Sequence, residues 1–194
     1  MEELNKYQKS RRVIRYISTR ILVIGLIIML GLVIMLTMLN ISNLYIISSE
    51  GLALRAECIL KNGDRAKLAE YFTEDFIKND SKLYDGKYSN FTINSYDYAI
   101  DVKNINVWPW QSVASMHVIE RMKSMKGNVN PSAISEGETS ASYPLPEWET
   151  AEYIVTFRKI DDKWFISGYS FVTNDIEEQP KHTPDMSLIE TEQP

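Results

Sequence analysis

The chain has 194 residues, enough for one domain of ordinary size and too few for a multidomain enzyme. Hydrophobic residues make up 44% of it and aromatics 11%, a composition that builds a packed core and excludes a disordered or fibrous chain. The net charge of −5 hides two opposite pieces: residues 1–20 hold six basic and two acidic side chains, residues 50–194 fifteen and twenty-four.

Lys6, Lys9, Arg11, Arg12, Arg15 and Arg20 give residues 1–20 the character of a basic tail, and no charged residue follows until Glu50. Within that stretch residues 21–39 (ILVIGLIIMLGLVIMLTML) are interrupted only by Gly25, Gly31 and Thr37. As a helix rising ~1.5 Å per residue, this run matches the ~30 Å hydrocarbon layer. The milder continuation to residue 48 reads as a membrane-proximal extension. A buried core helix would keep a polar stripe, whereas this one is apolar all round. A cleaved signal peptide would have a shorter apolar run, a shorter basic lead and an A-x-A site. Arg55 is the only basic residue in the twenty positions after Leu39. The positive-inside rule therefore predicts a single-pass cell-membrane protein with membrane lipid as a partner, its N-terminus cytoplasmic and its acidic part extracytoplasmic. Gly25 and Gly31 are six apart and do not form a G-x-x-x-G seam.

Apolar residues at 52, 56, 59 and 60 predict a first helix after the membrane, broken at Asn62-Gly63. Asp64 then caps a second helix whose face is Leu68, Ala69, Phe72 and Phe76. Cys58, the only cysteine, reads as a small semi-apolar helix residue; alone, it excludes an intramolecular disulfide framework and a multi-cysteine zinc site. Residues 78–90 read as a loop. Strands are predicted over residues 91–107, 110–122, 150–160 and 163–173. Between the second and third, residues 123–149 have the composition and length of a mobile excursion, and residues 174–194 read as a disordered acidic tail. A two-residue turn at Asp161-Asp162 would pair residue 157 with 166 and 155 with 168. Tyr153, Val155, Phe157, Trp164, Ile166 and Val172 would then face the core. The reverse side would carry Ile154, Ile160, Phe165, Tyr169 and Phe171, more apolar bulk than a solvated face needs. Ile154, Phe165, Tyr169 and Phe171 are accordingly candidate interface residues for a second copy or for another subunit of a membrane complex.

Gly63-Asp64 at the helix junction, together with Asp162, Trp164 and Ile166 in the closing hairpin, resembles the nuclear-transport-factor-2-like or SnoaL-like superfamily over residues 50–173. The resemblance implies an α+β fold in which a helix pair packs into a curved antiparallel sheet to make a cone. With a basic cytoplasmic tail and one span, the plan is similar to that of the bitopic scaffold proteins of conjugation and type IV secretion machines. Membrane proteins of endospore formation or germination share the outline.

Enzymes of that superfamily work in the cone interior with inward acid/base residues, so strand parity is a test for a catalytic set. Trp110, Ala114, Met116, Val118 and Met122 place His117 on the opposite side, and Tyr96, Tyr98, Ile100 and Val102 place Asp97 and Asp101 outward. His182 lies in the tail. No H-E-x-x-H, P-loop, G-x-S-x-G or G-x-G-x-x-G occurs. The expectation is therefore a non-catalytic scaffold or assembly component of an envelope-spanning complex, such as a conjugation or secretion channel, with no cofactor or metal. The charge of residues 50–194 argues against a nucleic-acid groove. The alternative is a sensor enclosing a small apolar ligand in a cone lined by Tyr98, Trp110, Phe157 and Trp164.

Overall fold

A computed structural model describes residues 2–176, with side chains inside the first helix from Arg15 on. That helix, α1, runs unbroken over Glu2–Lys61, 60 residues, or about 90 Å at the α-helical rise. Its apolar run stands exposed and is long and apolar enough to cross a bilayer. Inside it, the Thr37 hydroxyl donates to the Val33 carbonyl at 2.8 Å, so the one hydroxyl in the run is satisfied within the helix.

The same helix then enters the domain. Leu44, Ser48, Leu52, Arg55, Ala56 and Leu60 are buried along it, at spacings of three and four that keep them on one face. The expected boundary between a span and a separate membrane-proximal helix therefore does not exist, because residues 40–61 hold no proline and no capping break. Gly51 is tolerated because it allows close approach: a Cβ there would lie 2.9 Å from Tyr71 Cβ. Asn62 ends α1 in the left-handed region, φ 52°. Asp64 caps the next turn, accepting from the Ala66 N–H at 3.0 Å.

Residues 65–79 do not form the single second helix that the apolar spacing predicts. A 3-10 turn covers Arg65–Glu70, and α2, capped by Thr73, covers only Glu74–Asn79. The intervening residues leave the helical path to pair with a sheet edge. The Thr73 N–H donates to the Ile166 carbonyl at 2.9 Å, and the Ile166 N–H to the Tyr71 carbonyl at 2.7 Å.

The sheet is a curved antiparallel meander of β1 (Phe91–Asn106), β2 (Val113–Val129), β3 (Ala151–Ile160) and β4 (Lys163–Thr173), adjacent in chain order. The fold is thus α+β, one long apolar N-terminal helix followed by four strands. β2 begins and ends later than expected, since residues 123–129 continue it to pair with the start of β1. Register shifts leave Asn94 and Lys103 unpaired on β1 and Lys123 on β2. Such bulges bend a strand, and they keep Ile93, Tyr96, Tyr98, Ile100, Val102 and Ile105 on the core side.

The end of the expected excursion, around Leu145–Trp148, packs back on the body, while most of residues 131–144 are exposed. Lys87 Nζ donates to the Glu147 carbonyl at 2.8 Å. The Trp148 ring sits 6.2 Å from Tyr88 and 6.1 Å from Tyr98. Aromatic packing and this hydrogen bond offset a polar composition that by itself reads as loose.

The β3–β4 turn is Asp161-Asp162, with φ 47° and 62° as a type I′ turn requires, and Phe157 pairs with Ile166 as expected. Beyond that the parity is corrected. Ser167 is an extra residue, so Val155 pairs with Tyr169 and not with residue 168. One inserted residue moves every later side chain to the other face. Tyr169 and Phe171 therefore come to the core side opposite Val155 and Tyr153, away from Ile154 and Phe165. Val172, expected in the core, falls at a second register shift and is exposed. Tyr153, Val155, Phe157, Trp164 and Ile166 are buried. Of the expected disordered tail over residues 174–194, residues 177–194, His182 among them, lie outside the described residues.

Candidate functional site

The bulge at Ser167 assembles a polar cluster inside the concave face of the sheet. Arg55, 2% exposed, comes from the buried stripe of α1. Its Nε donates to Asp80 Oδ2 at 2.6 Å and its Nη2 to Asp80 Oδ1 at 3.0 Å, a bidentate fork. Asp80 is held in place locally. Its backbone N–H closes α2 on the Phe76 carbonyl, and its carboxylate caps the next turn through the Lys82 N–H. Glu120, wholly buried on β2, accepts from the Tyr98 hydroxyl on one oxygen and from the Tyr169 hydroxyl on the other, both at 2.8 Å. The Arg55 guanidinium lies 4.9 Å over the Tyr169 ring, which stacks on Tyr153 at 4.2 Å. Lys82 Nζ donates to the Tyr153 hydroxyl at 3.0 Å. One network thus joins α1, the loop after α2, and strands β1 to β4.

The electrostatics follow from this geometry. Burial works to lower the Arg55 pKa, but the Asp80 hydrogen bonds and charge, with the Glu120 carboxyl, outweigh it and hold it above the usual guanidinium value. Burial, and then the neighbouring Glu120 charge, push the Tyr98 and Tyr169 hydroxyls well above the ordinary phenol range. Both tyrosines consequently stay protonated donors at neutral pH.

Over the cluster lies an open groove of about 430 Å³, lined by Arg55, Asp80, Lys82, Tyr153, Tyr169 and Phe171 among others. Glu120 sits behind its wall with both oxygens engaged, and Asp80 spends its carboxylate on Arg55. A general base needs a lone pair turned toward substrate. The arrangement pins elements together across the fold, and the groove lining sets two bases, Arg55 and Lys82, beside two acids, Asp75 and Asp80. Arg55 Nη1, Ser48 Oγ and Trp148 Nε1 are, among the described residues, buried without a hydrogen-bond partner. Among the described residues, no group of three or more His, Cys, Asp or Glu side chains converges on a metal position.

The residues singled out in sequence are dispersed. Ile154 and Phe165 are half-buried on the outer face, where Lys163 Nζ lies 5.1 Å over the Phe165 ring. Tyr169 belongs to the inner cluster, and Phe171 is exposed at the groove. Tyr98, Trp110, Phe157 and Trp164 do not line one pocket: Tyr98 binds Glu120, Phe157 and Trp164 are packed core, and Trp110 is 71% exposed in the β1–β2 connection. His117 is on the outer face, its Nδ1 3.2 Å from Glu152 Oε1. Asp101 is there too, paired with Arg121 at 2.8 Å. Glu120 and Arg55 are the residues that sequence reasoning passed over. Glu120 continues the inward alternation of Val118 and Met122, and Arg55 interrupts the stripe of Leu52, Ala56 and Ile59. A lone charge inside an apolar register was the available signal. No family model, no curated protein and no solved structure matches the chain.

Proposed function

We propose that the chain is a single-span membrane protein with a cytoplasmic N-terminus, whose extracytoplasmic domain is a non-catalytic assembly module of an envelope-spanning complex, such as a conjugation or secretion channel. The carrying observation is the continuity of α1. The helix that is long and apolar enough to cross a bilayer is also the helix whose next turns form the domain's buried stripe. A domain fused in this way, with no linker, has a set height and a set orientation. Copies anchored in one membrane then present the same faces at the same level, which lowers the orientational cost of lateral association. The nuclear-transport-factor-2-like resemblance is supported by α1 packing on the concave side of a curved antiparallel sheet, with the second helix of the pair reduced to short turns.

Ile154 and Phe165 on the outer face are the contacts this reading keeps. Cys58 is buried, so a cysteine placed at Phe165 reports selectively. In native membranes the Phe165→Cys chain is expected to form a disulfide-linked dimer on mild oxidation, while an Asp97→Cys control does not. Absence of crosslinking at Phe165 and at Ile154, with a monomer in mild detergent, would contradict self-assembly through this face.

The groove favours a second reading, a sensor for a small ligand carrying an acidic group. Lys82, bonded to the Tyr153 hydroxyl, supplies the positive charge, Arg55 being matched by Asp80, and Tyr153 and Phe171 supply apolar walls. Small carboxylates should then raise the melting temperature of the full chain, and Lys82→Ala should abolish the shift.

A further inference from the structure

The β1–β2 connection reads Val107-Trp108-Pro109-Trp110-Gln111. Trp108 through Gln111 form a turn, closed by the Gln111 N–H donating to the Trp108 carbonyl at 3.1 Å. Pro109 in its second position presets the backbone. The Gln111 side chain closes the turn again by accepting from the Trp108 N–H at 3.2 Å. The two indole rings stack with centroids 5.5 Å apart, yet Trp108 is 50% and Trp110 71% exposed. Val107, just before them, is buried in the main core. A braced turn therefore holds two of the largest apolar side chains out in the open, an arrangement that marks a contact surface.

Its position says with what. In the meander this connection lies at the same end of the sheet as the β3–β4 turn. The Ser112 carbonyl accepts from the Lys159 N–H at 2.8 Å, and Lys159 pairs with Trp164 across the hairpin. The Trp164 indole N–H in turn donates to Asn40 Oδ1 at 3.3 Å. Asn40 is the first residue after the apolar run. Two strand spacings, about 10 Å, separate Ser112 from Trp164, so the turn stands at the level where α1 leaves the run. The second core cluster, around Leu60 and Tyr88, lies about 30 Å farther along α1. Aromatic residues also mark both ends of the run on α1 itself: Tyr16, with the Arg20 guanidinium 4.8 Å over its ring, and exposed Tyr45.

We propose that the Trp108–Trp110 turn inserts into the boundary between lipid headgroups and hydrocarbon, in the leaflet from which α1 emerges. The domain is then seated on its membrane at two points, helix and turn, which sets its tilt as well as its height. Indoles suit that boundary, with a flat apolar body and one polar N–H. The inference rests on reading α1 as a membrane span.

The test reconstitutes the full chain into phosphatidylcholine vesicles whose lipids are brominated either near the headgroup or near the chain end, and measures quenching of tryptophan fluorescence. Headgroup-proximal bromine is expected to quench the wild-type chain at least about twofold more than the Trp108→Phe/Trp110→Phe variant, because interfacial indoles lie within its reach. Both substitutions are at exposed positions and leave the core intact. Adding Leu30→Trp to that variant reports the span, and chain-end bromine should quench the introduced indole. Quenching of this span reporter without excess quenching of the wild type overturns the proposal alone. A wild-type emission shift that depends on protein density but not on bromine overturns it in favour of a second copy covering the turn. No chain-end quenching of the span reporter overturns the span reading and the proposal with it.

Discussion

Arg55 and Asp80 form an ion pair that is almost wholly out of water, with side chains 2% and 7% exposed. Removing one member of such a pair leaves the other charged and unsolvated. Arg55→Ala is therefore expected to destabilise the full chain by about 3–5 kcal/mol in denaturant melts. Arg55→Met combined with Asp80→Asn should recover most of that, since the uncompensated charge is gone. A loss under about 1 kcal/mol for Arg55→Ala would match an exposed pair and not this one. Tyr98 and Tyr169 give a second prediction at this scale. Their hydroxyls titrate above the unfolded value of about 10. The stability they add is thus complete below that pH and is lost as pH rises through their folded pKa values. Phenolate absorbance of the full chain should show late-titrating tyrosines whose ionisation coincides with unfolding. Tyr98→Phe/Tyr169→Phe should remove the part of that step coupled to unfolding, leaving Tyr88, whose hydroxyl is pushed by burial up to about 12. The inward alternation of Val118, Glu120 and Met122 makes Glu120 legible in sequence as a buried acid. Its partners are not, because Tyr169 reaches it only through the bulge at Ser167. Asp80, the partner of Arg55, lies in a loop that no periodicity connects to α1.

The strands and turns carry their own consequences. On the outer face Glu152 of β3 accepts from Lys103 of β1 at 2.6 Å and lies 3.2 Å from His117 of β2, fastening three strands. The Lys103 hydrogen bond, then that of His117, hold the Glu152 carboxyl below the usual carboxylate range. Its contribution is present above the unfolded carboxylate pKa and disappears as pH falls through the lower folded value. Glu152→Gln should accordingly flatten the acid side of the stability profile while leaving the alkaline side unchanged. Where α1 crosses residues 71–73, Gly51→Ala would push a methyl group to within 2.9 Å of Tyr71 Cβ. We expect a loss of about 1–3 kcal/mol from overpacking. In the β3–β4 turn, Asp162 sits at φ 62°, so Asp162→Gly should add about 1 kcal/mol by relieving a left-handed residue. The long helix, the four strands and their order are readable because alternation and turn chemistry are local. Element lengths are not. Residues 123–129 are polar and became strand only because the start of β1 needed a partner. Residues 71–73 carry helical spacing and became a sheet edge because β4 offered unpaired groups.

At the scale of the whole molecule, the apolar run and the charge asymmetry are plain in sequence, whereas the absence of any break between that run and the domain is not. Helical periodicity is uninformative across residues 21–39, where nearly every position is apolar, so the sequence offers no phase relation between that run and the stripe beginning at Leu44. In the structure they are one continuous helix, Glu2–Lys61. On the proposed reading of the run as a membrane span, a push or rotation there would be carried along α1 to the Arg55–Glu120 cluster. The measurement that tests this directly is the distance between nitroxide labels at Ile27 and Tyr45, both exposed on α1, by pulsed electron resonance on the full chain in lipid. The two positions are five helical turns apart on one face, and the account predicts a single narrow distribution near 27 Å between their backbones. A broad distribution, or a maximum well short of that distance, would show a hinge between membrane and domain and would contradict the account.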